Sequence, residues 1–294
     1  GCLVETRAGR WYVAHLAARP YSRRGPCVLG RETAIQQVRW VDGWPRIPGG
    51  VPALTTPAPD LPEHPWPSAT SRDDFDGPGL GPQWSTLRRH ASPDWLSLTD
   101  RPGYLRIRGG QSPYGWRTPS LVARRVTATR CSLDTTMRVV PEDIHQSAGI
   151  TAYYNAANWH ALQLRTDGDR AALELVTSDR GVRTVHARID AATHAERPVQ
   201  LRVAFDGPQV RFAYAWDGSW STVPVNLDAT ILSDEHADDI VDGQVRTLGF
   251  TGAFVGLWVQ DLAARGGWAD FDHATYVEEP ASDAAPTSAI EAMS

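Results

Sequence analysis

Paired carboxylates are the residues in this sequence with the clearest capacity for chemistry. Glu142–Asp143 and the acidic stretch over residues 234–239 each place two or more carboxyl groups within a few positions. Such a pair serves as general acid and general base when burial raises the pKa of one member. Both stretches lie among polar, loop-like residues where nothing predicts burial. We therefore expect neither to be catalytic.

Other side chains suggest a metal ion. Asp270 and Asp272 are two positions apart in a strand-like segment, which would turn both carboxylates to one face as oxygen ligands for Ca²⁺. Two carboxylates are too few for that ion, so we expect a solvated face. The three cysteines, Cys2, Cys27 and Cys131, show no CxxC spacing. We predict free thiols, no metal and no cofactor.

Histidines and short motifs add no further reaction class. His15 and His160 each lie inside a strand pattern, where a lone histidine is more often a hydrogen-bonded core residue than a ligand. The sequence contains no GxSxG, GxGxxG or GK[ST] motif. Serine-hydrolase chemistry and nucleotide binding are therefore unsupported.

The charge balance limits the partners. All 29 basic residues are arginine and 34 residues are acidic, which gives a net charge of −5. A basic face for nucleic acid is not expected. No window approaches the roughly 18 consecutive apolar residues of a membrane span, so we predict no membrane partner.

The elements that position these residues are strands throughout. Residues 1–50 predict four short strands, at 2–5, 11–16, 34–41 and 46–47, which form about one antiparallel sheet of the size of a propeller blade. Residues 51–70 belong to a stretch with seven prolines over 48–70, which indicates an extended linker. Residues 280–294 are small and polar, and we predict a disordered tail.

Residues 71–279 predict a β-sandwich. Apolar residues alternate along strand-length segments such as 199–205 and 210–216, and Asp-Gly pairs at 167–168, 206–207 and 217–218 separate such segments. Asp-Gly between alternating segments is a strong hairpin signal, because glycine adopts positive φ without steric cost. About a dozen short strands without a long amphipathic helix favour two antiparallel sheets packed face to face.

Several strings resemble glycoside hydrolase family 43, specifically its β-xylosidase branch. Residues 1–50, with LGRETAIQ at 29–36, resemble the last blade of the five-bladed propeller in that family. DDFDGPGLGPQW at 73–84, ITAYYN at 150–155 and FTGAFVG at 250–256 resemble its concanavalin-A-like C-terminal domain. The resemblance implies an all-β protein: a concanavalin-A-like antiparallel β-sandwich preceded by one blade of an incomplete five-bladed β-propeller.

The resemblance also implies a reaction. Family members are inverting glycosidases, in which one carboxylate activates a water and a glutamic acid protonates the leaving oxygen, with the two carboxyl groups roughly 6.5–9.5 Å apart. These residues lie on earlier blades, for which this chain has no matching segment. We therefore expect a C-terminal fragment of a longer enzyme, which starts at Gly1 rather than Met, contains no catalytic residue and is inactive alone.

Part of the substrate pocket is implied within the chain. Arg31 matches the arginine that hydrogen-bonds the xylosyl unit, although a structural pair with Glu32 is the alternative. Phe250 or Phe254 matches the aromatic residue that closes the pocket, and Phe254 is favoured. Glycines at 249, 252 and 256 predict an irregular, closely approaching backbone there.

The resulting hypothesis is a β-xylosidase, with α-L-arabinofuranosidase activity as a variant, that acts on xylo-oligosaccharides from their non-reducing ends. The alternative is a non-catalytic carbohydrate-binding or assembly module, because twelve tryptophans offer stacking surfaces. By resemblance, we expect a homo-oligomer and a cytoplasmic rather than a secreted protein.

Overall fold

The structure is a computed structural model that describes residues 1–23, 25–67, 70–194, 196–241, 244–247 and 249–279. The chain divides into two compact units. The first unit contains Gly1–Arg19 and Arg31–Ala69, and the second contains Pro20–Gly30 and Thr70–Ser294. Within the described ranges, no helix has the length and apolar character needed to cross a membrane. The predicted tail over 280–294 lies outside the described residues.

The first unit is one four-stranded antiparallel sheet. Its strands follow chain order and are β1 (Cys2–Glu5), β2 (Trp11–Ala17), β3 (Glu32–Val41) and β4 (Trp44–Arg46). The β3–β4 turn is Asp42–Gly43, where both φ angles are positive, at 51° and 78°, as a tight hairpin turn requires. Strand β3 begins two residues earlier than predicted because Glu32 pairs with Ala17.

The proline-rich segment lies along this sheet. The Tyr12 hydroxyl donates to the carbonyls of Pro57 and Ala58, both at 3.2 Å. The Gln36 side chain donates to the carbonyl of Ala53 at 2.7 Å and accepts from its amide at 3.3 Å. The segment predicted as a connector is thus bound to β2 and β3 through backbone groups of Ala53, Pro57 and Ala58.

The second unit is the predicted sandwich of two antiparallel sheets. The larger sheet has the order β17-β16-β15-β10-β22-β8-β7, with β18 beside β16 and β5 beside β22; the smaller has the order β14-β13-β12-β11-β21-β9-β6, and β19–β20 is a separate hairpin. The strands are β5 (Arg72–Asp73), β6 (Ser85–Thr86), β7 (Leu96–Ser97), β8 (Leu105–Arg108), β9 (Ser120–Arg125), β10 (Arg130–Arg138), β11 (Gln146–Tyr153), β12 (Trp159–Thr166), β13 (Ala171–Asp179), β14 (Val182–Asp190), β15 (Val199–Asp206), β16 (Gln209–Trp216), β17 (Ser219–Thr222), β18 (Leu227–Asp228), β19 (Asp239–Val241), β20 (Gln244–Thr247), β21 (Phe254–Asp261) and β22 (Trp268–Glu278).

Hairpins form where Asp-Gly pairs predict them. Residues 206–207 join β15 to β16, 217–218 join β16 to β17, and 167–168 lie between β12 and β13. Gly207, Gly218 and Gly168 have φ angles of 58°, 84° and 105°. These predictions are confirmed. Helical structure among the described residues is short: a 3₁₀ turn at Ala229–Leu232 and the helix α1 at Asp234–Ala237.

The central strands β11, β12, β13 and β21 of the seven-stranded sheet are buried on both faces, whereas the edge strand β14 is mostly exposed. One face packs against the larger sheet through side chains such as Leu162 and Leu173, which are fully buried. The other face carries a second apolar cluster that includes Tyr153, Trp159 and Trp258. Each large apolar side chain buried in this way contributes about 1.5–3 kcal/mol. The second face is the surface on which the candidate sites lie.

Candidate functional site

The loop over residues 249–253 is held by close backbone contact with residues 27–30 of the same unit. The amide of Ala253 donates to the carbonyl of Val28 at 2.7 Å. Gly252 has φ +75°, and a Cβ atom there would lie 2.5 Å from the Leu29 carbonyl carbon. Arg125 adds a hydrogen bond from Nη2 to the Leu29 carbonyl oxygen at 2.6 Å. The predicted irregular backbone is confirmed. These contacts hold the backbone of the loop that carries Phe250.

The other two glycines are also sites of close approach. A Cβ at Gly249 would lie 1.7 Å from the Tyr154 hydroxyl oxygen, and one at Gly256 would lie 2.5 Å from Cβ of Ala123. Neither distance is compatible with a side chain. Local packing therefore requires glycine on both sides of the loop.

Alanine at Gly252 should destabilise the sandwich. We expect Gly252→Ala to lower the free energy of unfolding by about 2 kcal/mol or more, because positive φ strain adds to steric overlap with Leu29. Gly207→Ala is the matched control, since Gly207 has φ +58° with nothing within 4 Å of an added Cβ, and it should cost about 1 kcal/mol. Urea unfolding of both variants measures the difference. Equal losses of unfolding free energy in the two variants would show that the close approach to Leu29 adds no cost to the substitution.

A cavity of about 1030 Å³ opens beside this loop. Phe250 and Phe254 both border it, together with Tyr153 and Trp116. Phe250 is 54% exposed, whereas Phe254 is partly buried against the second apolar cluster. The structure therefore brings the two predicted aromatic residues to one hollow, with Phe250 the more accessible.

Tyr153 supplies a polar group to the cavity wall. Its side chain is 4% exposed, and its hydroxyl has no hydrogen-bond partner among the described residues. Burial raises the pKa of Tyr153 to about 12, against a smaller opposing effect from Arg88. The hydroxyl is therefore neutral at ordinary pH, and it can donate one hydrogen bond and accept others. A bound hydroxylated ligand would satisfy it.

The acidic stretch over residues 234–239 also reaches this cavity. Asp234 accepts a hydrogen bond from the Tyr154 hydroxyl at 2.5 Å, and Glu235 accepts one from the amide of Cys27 at 3.0 Å. The expected lack of burial is wrong for Asp234, the first residue of α1, which is 2% exposed. Burial, and then the bond to Asp234, raise the pKa of Tyr154. The side chain of Asp239 lies outside the described residues.

The remaining predicted residues lie elsewhere. Arg31 lies in the first unit, immediately before β3, and Glu32 accepts two hydrogen bonds from Arg19 at 2.7 and 2.9 Å. The expected solvated face is wrong for Asp270, which is 7% exposed because it binds two arginines. Asp272 lies 3.5 Å from Nδ1 of His273. A β-bulge in the β10–β22 pairing interrupts the alternation between them, so the two carboxylates form no common site.

Metal binding finds no support in the described part of the chain. There, no three His, Cys, Asp or Glu side chains come together in a way that could hold an ion. Cys27 and Cys131 are free and buried, whereas Cys2 is free and exposed. The cavity beside Phe250 is lined by aromatic rings together with polar and charged side chains, among them Arg88, Arg180, Glu235 and Asp238. This mixture of apolar rings and polar groups makes the cavity a candidate for binding a polar ligand.

Sequence reasoning missed Tyr153 as a site residue. It ends a strand in which all eight residues are buried, and a tyrosine in such a segment predicts core packing. The one usable signal was the Tyr-Tyr-Asn string that ends the resemblance at 150–155.

The two-sheet architecture defines the class of concanavalin-A-like sandwiches. Residues 72–277 match the family model described as the beta xylosidase C-terminal concanavalin A-like domain. The chain therefore belongs to glycoside hydrolase family 43, in the group that carries this C-terminal domain.

Similar proteins agree with this assignment. A putative beta-xylosidase of Escherichia coli is 39% identical over 94% of this chain and 53% of its own length. A xylan 1,3-beta-xylosidase of a Vibrio species is 36% identical over 95% of this chain and 53% of its own length. The crystal structure of a xylan beta-1,4-xylosidase from Bacillus halodurans superposes with a TM-score of 0.85 at 37% identity, covering 94% of this chain and 52% of that one. The chain thus spans about half the length of the relatives it matches.

Proposed function

We propose that this chain is the C-terminal half of an inverting β-xylosidase that releases single pentose units from the non-reducing ends of xylo-oligosaccharides. The support is a xylosidase relative that shares 39% of residues yet is matched over 53% of its length. The catalytic carboxylates then lie in the part of the full-length enzyme that corresponds to the unmatched remainder of this relative. Arabinofuranosides are the secondary substrate class.

The loop that carries Phe250 is the observation on which this function rests most directly. A ring that is 54% exposed on a backbone fixed by Gly252 and Val28 can meet a sugar without first being ordered. An aromatic ring offers an apolar surface to the C–H face of a sugar. Phe250 then closes the pocket, and Phe254, which was favoured from the sequence, supports it from the start of β21.

Arg31 has a complementary role in this proposal. A guanidinium presents five donors in a fixed plane, which suits neighbouring hydroxyl groups of a pentose. We assign Arg31 to the glycone subsite by the family motif LGRETAIQ. Its substitution by lysine keeps the charge but loses the planar donors.

Hydrolysis of a chromogenic β-xyloside tests the function directly. We expect no turnover by the 294-residue chain and turnover by the same chain extended through its upstream coding sequence. Carboxylates outside this chain would then be required. Turnover by the 294-residue chain would overturn the assignment of the catalytic carboxylates.

The extended protein also tests Phe250. We expect Phe250→Ala to lower kcat/KM by about tenfold, equivalent to about 1.4 kcal/mol of lost transition-state binding. Leu262→Ala is the matched control, since Leu262 is 53% exposed in a different loop, and it should leave kcat/KM unchanged. Equal effects of the two substitutions would remove the pocket-closing role.

A further inference from the structure

A second, smaller hollow lies on the same face of the seven-stranded sheet, beneath the loop that carries Tyr114. It measures about 110 Å³ and is lined by Tyr114, Ser147, Trp159, Gln163, Trp258 and Gln260, with two arginines beside them. Apart from the shared sheet face, it has no lining residue in common with the cavity beside Phe250.

Strand register creates this hollow. Gly149 on β11 pairs with Trp258 on β21 on one side and with Gln163 on β12 on the other. Paired residues project from the same face of a sheet, and glycine contributes no side chain between the indole and the amide. In the next row on this face, Ser147 stands between Gln260 and Arg165. The result is a gap bordered by polar groups.

Two of these polar groups are buried without a hydrogen-bond partner among the described residues. Trp258 is 4% exposed, and its indole Nε1 has no hydrogen-bond acceptor among the described residues. The buried hydroxyl of Tyr114 likewise finds no partner there. Gln163 and Ser147 are 7% and 5% exposed and border the same space. Unsatisfied buried groups of this kind cost about 1–3 kcal/mol each, so a ligand that pairs with them gains affinity.

The chemistry of the lining indicates an uncharged sugar. Indole and amide N–H groups donate, the amide oxygen accepts, and the two hydroxyls do both, which matches the mixed donor and acceptor character of sugar hydroxyls. Arg165 and Arg183 both bind the Glu174 carboxylate, at 3.1 and 3.2 Å. Glu174 offsets only one of these two positive charges, so an anionic sugar is the competing ligand that the test must include.

The size and the aromatic wall fit one sugar ring. The space exceeds by about an order of magnitude what a single water needs. The Tyr114 and Trp159 rings meet edge to face, with centroids 5.2 Å apart, which fixes an apolar wall beside the polar groups. We propose that this hollow, which shares no lining residue with the cavity beside Phe250, binds one uncharged pyranose unit of a xylo-oligosaccharide; the choice of sugar rests on the proposed xylosidase function.

Binding of xylobiose to the 294-residue chain tests this site. Titration of ¹⁵N-labelled protein should move the indole N–H signal of Trp258 in a saturable way, with a dissociation constant on the order of 1 mM. Gln163→Leu should weaken binding about tenfold, and Ser147→Ala should weaken it less. Trp258→Phe assigns the signal.

Matched variants keep the result interpretable. Gln200→Leu makes the same change on β15 of the other sheet and should bind xylobiose like the unmodified chain. Phe250→Ala alters the larger cavity and shows whether the Trp258 shift arises from binding there. If Gln163→Leu does not fold, Ser147→Ala carries the test, because it removes only one buried oxygen. Circular dichroism checks folding of each variant.

Several outcomes would overturn the proposal. The first is that the Trp258 signal does not shift up to the solubility limit of xylobiose. The second is that Phe250→Ala abolishes binding while Gln163→Leu and Ser147→Ala retain it. The third is that the chain binds glucuronic acid but not xylobiose. None of these outcomes changes the prediction for β-xyloside hydrolysis, because that assay measures turnover, which the proposed function assigns to carboxylates outside this chain. The two proposals therefore fail independently.

Discussion

Substitution of Asp270 by alanine is expected to lower the free energy of unfolding by about 3–5 kcal/mol, because it leaves two arginines without their shared partner. Asp270 accepts from Nε of Arg106 at 2.6 Å and from Nη1 of Arg101 at 2.6 Å. The carboxylate side chain is 9% exposed. Strand pairing places Arg106 directly opposite Asp270, so the charges are fixed by the sheet itself.

The pH dependence has a defined sign. Burial would raise the pKa of Asp270, but hydrogen bonds from Arg106 and Arg101 outweigh it and hold the pKa below its usual value. A lowered folded-state pKa gives stability that is present above the unfolded pKa of about 3.9 and is lost as the pH falls further.

Urea unfolding at neutral pH measures the effect of Asp270→Ala. Asp74→Ala is the matched control, because its pair with Arg72 at 2.7 Å has both side chains about half exposed, at 48% and 52%. An exposed pair contributes at most about 1 kcal/mol. A loss of that size for Asp270→Ala as well would mean that the buried pair adds no specific stability.

Acidification from neutral pH to pH 4.5 should cost about 2–3 kcal/mol through His160 alone. The ring is 1% exposed, and burial lowers the pKa of His160 to about 4. Between the unfolded value of about 6.5 and the folded value, only the unfolded chain takes up the proton. Stability is therefore complete above about pH 6.5 and declines as the pH falls towards 4.

Hydrogen bonds around His160 explain why it resists protonation. Nε2 lies 3.0 Å from the carbonyl oxygen of Asp228, which only accepts, so Nε2 carries the hydrogen. Nδ1 therefore accepts from the Thr177 hydroxyl at 2.8 Å, and that hydroxyl accepts from Nε2 of His186 at 2.9 Å. A proton on Nδ1 would break this chain of bonds. The charge of His186 opposes protonation, whereas Asp228 and Asp179 favour it more weakly than burial opposes it.

Unfolding free energies at a series of pH values test this prediction. His160→Gln should remove the decline between pH 6.5 and 4, whereas the control His145→Gln, at an exposed histidine, should retain it. An unchanged profile in His160→Gln would assign the decline to other groups. The stability contributed by Asp270 is lost below about pH 3.9, whereas that contributed by His160 is lost between about pH 6.5 and 4. The two contributions can therefore be measured separately.

Local signals in the sequence account for most of the fold. The Asp-Gly hairpins and the alternation in β15 and β16 are properties of neighbouring residues, and they appear in the structure as predicted. His160 was also predicted correctly as a hydrogen-bonded core residue, because an isolated histidine within an apolar strand has few other roles.

Contacts between distant residues could not be predicted in the same way. Residues 20–30 group with the sandwich, whereas the sequence assigned all of 1–50 to the blade, and nothing in Cys27–Gly30 indicates a partner at Gly252. The position of Gln163 beside the smaller hollow could not be predicted either, because a glutamine on the outward face of an alternating strand predicts a solvated side chain. Only the register with Gly149 and Trp258 shows that it borders a hollow.

Contact between residues 27–30 and 252–253 also constrains how the protein is made. Val28 and Leu29 are each 1% exposed in the finished fold, yet their partner loop is translated more than two hundred positions later. At roughly 5–20 residues per second, the ribosome needs some tens of seconds to deliver it. During that time these two apolar side chains lack their native partner loop, so we expect them to be exposed to water on the nascent chain.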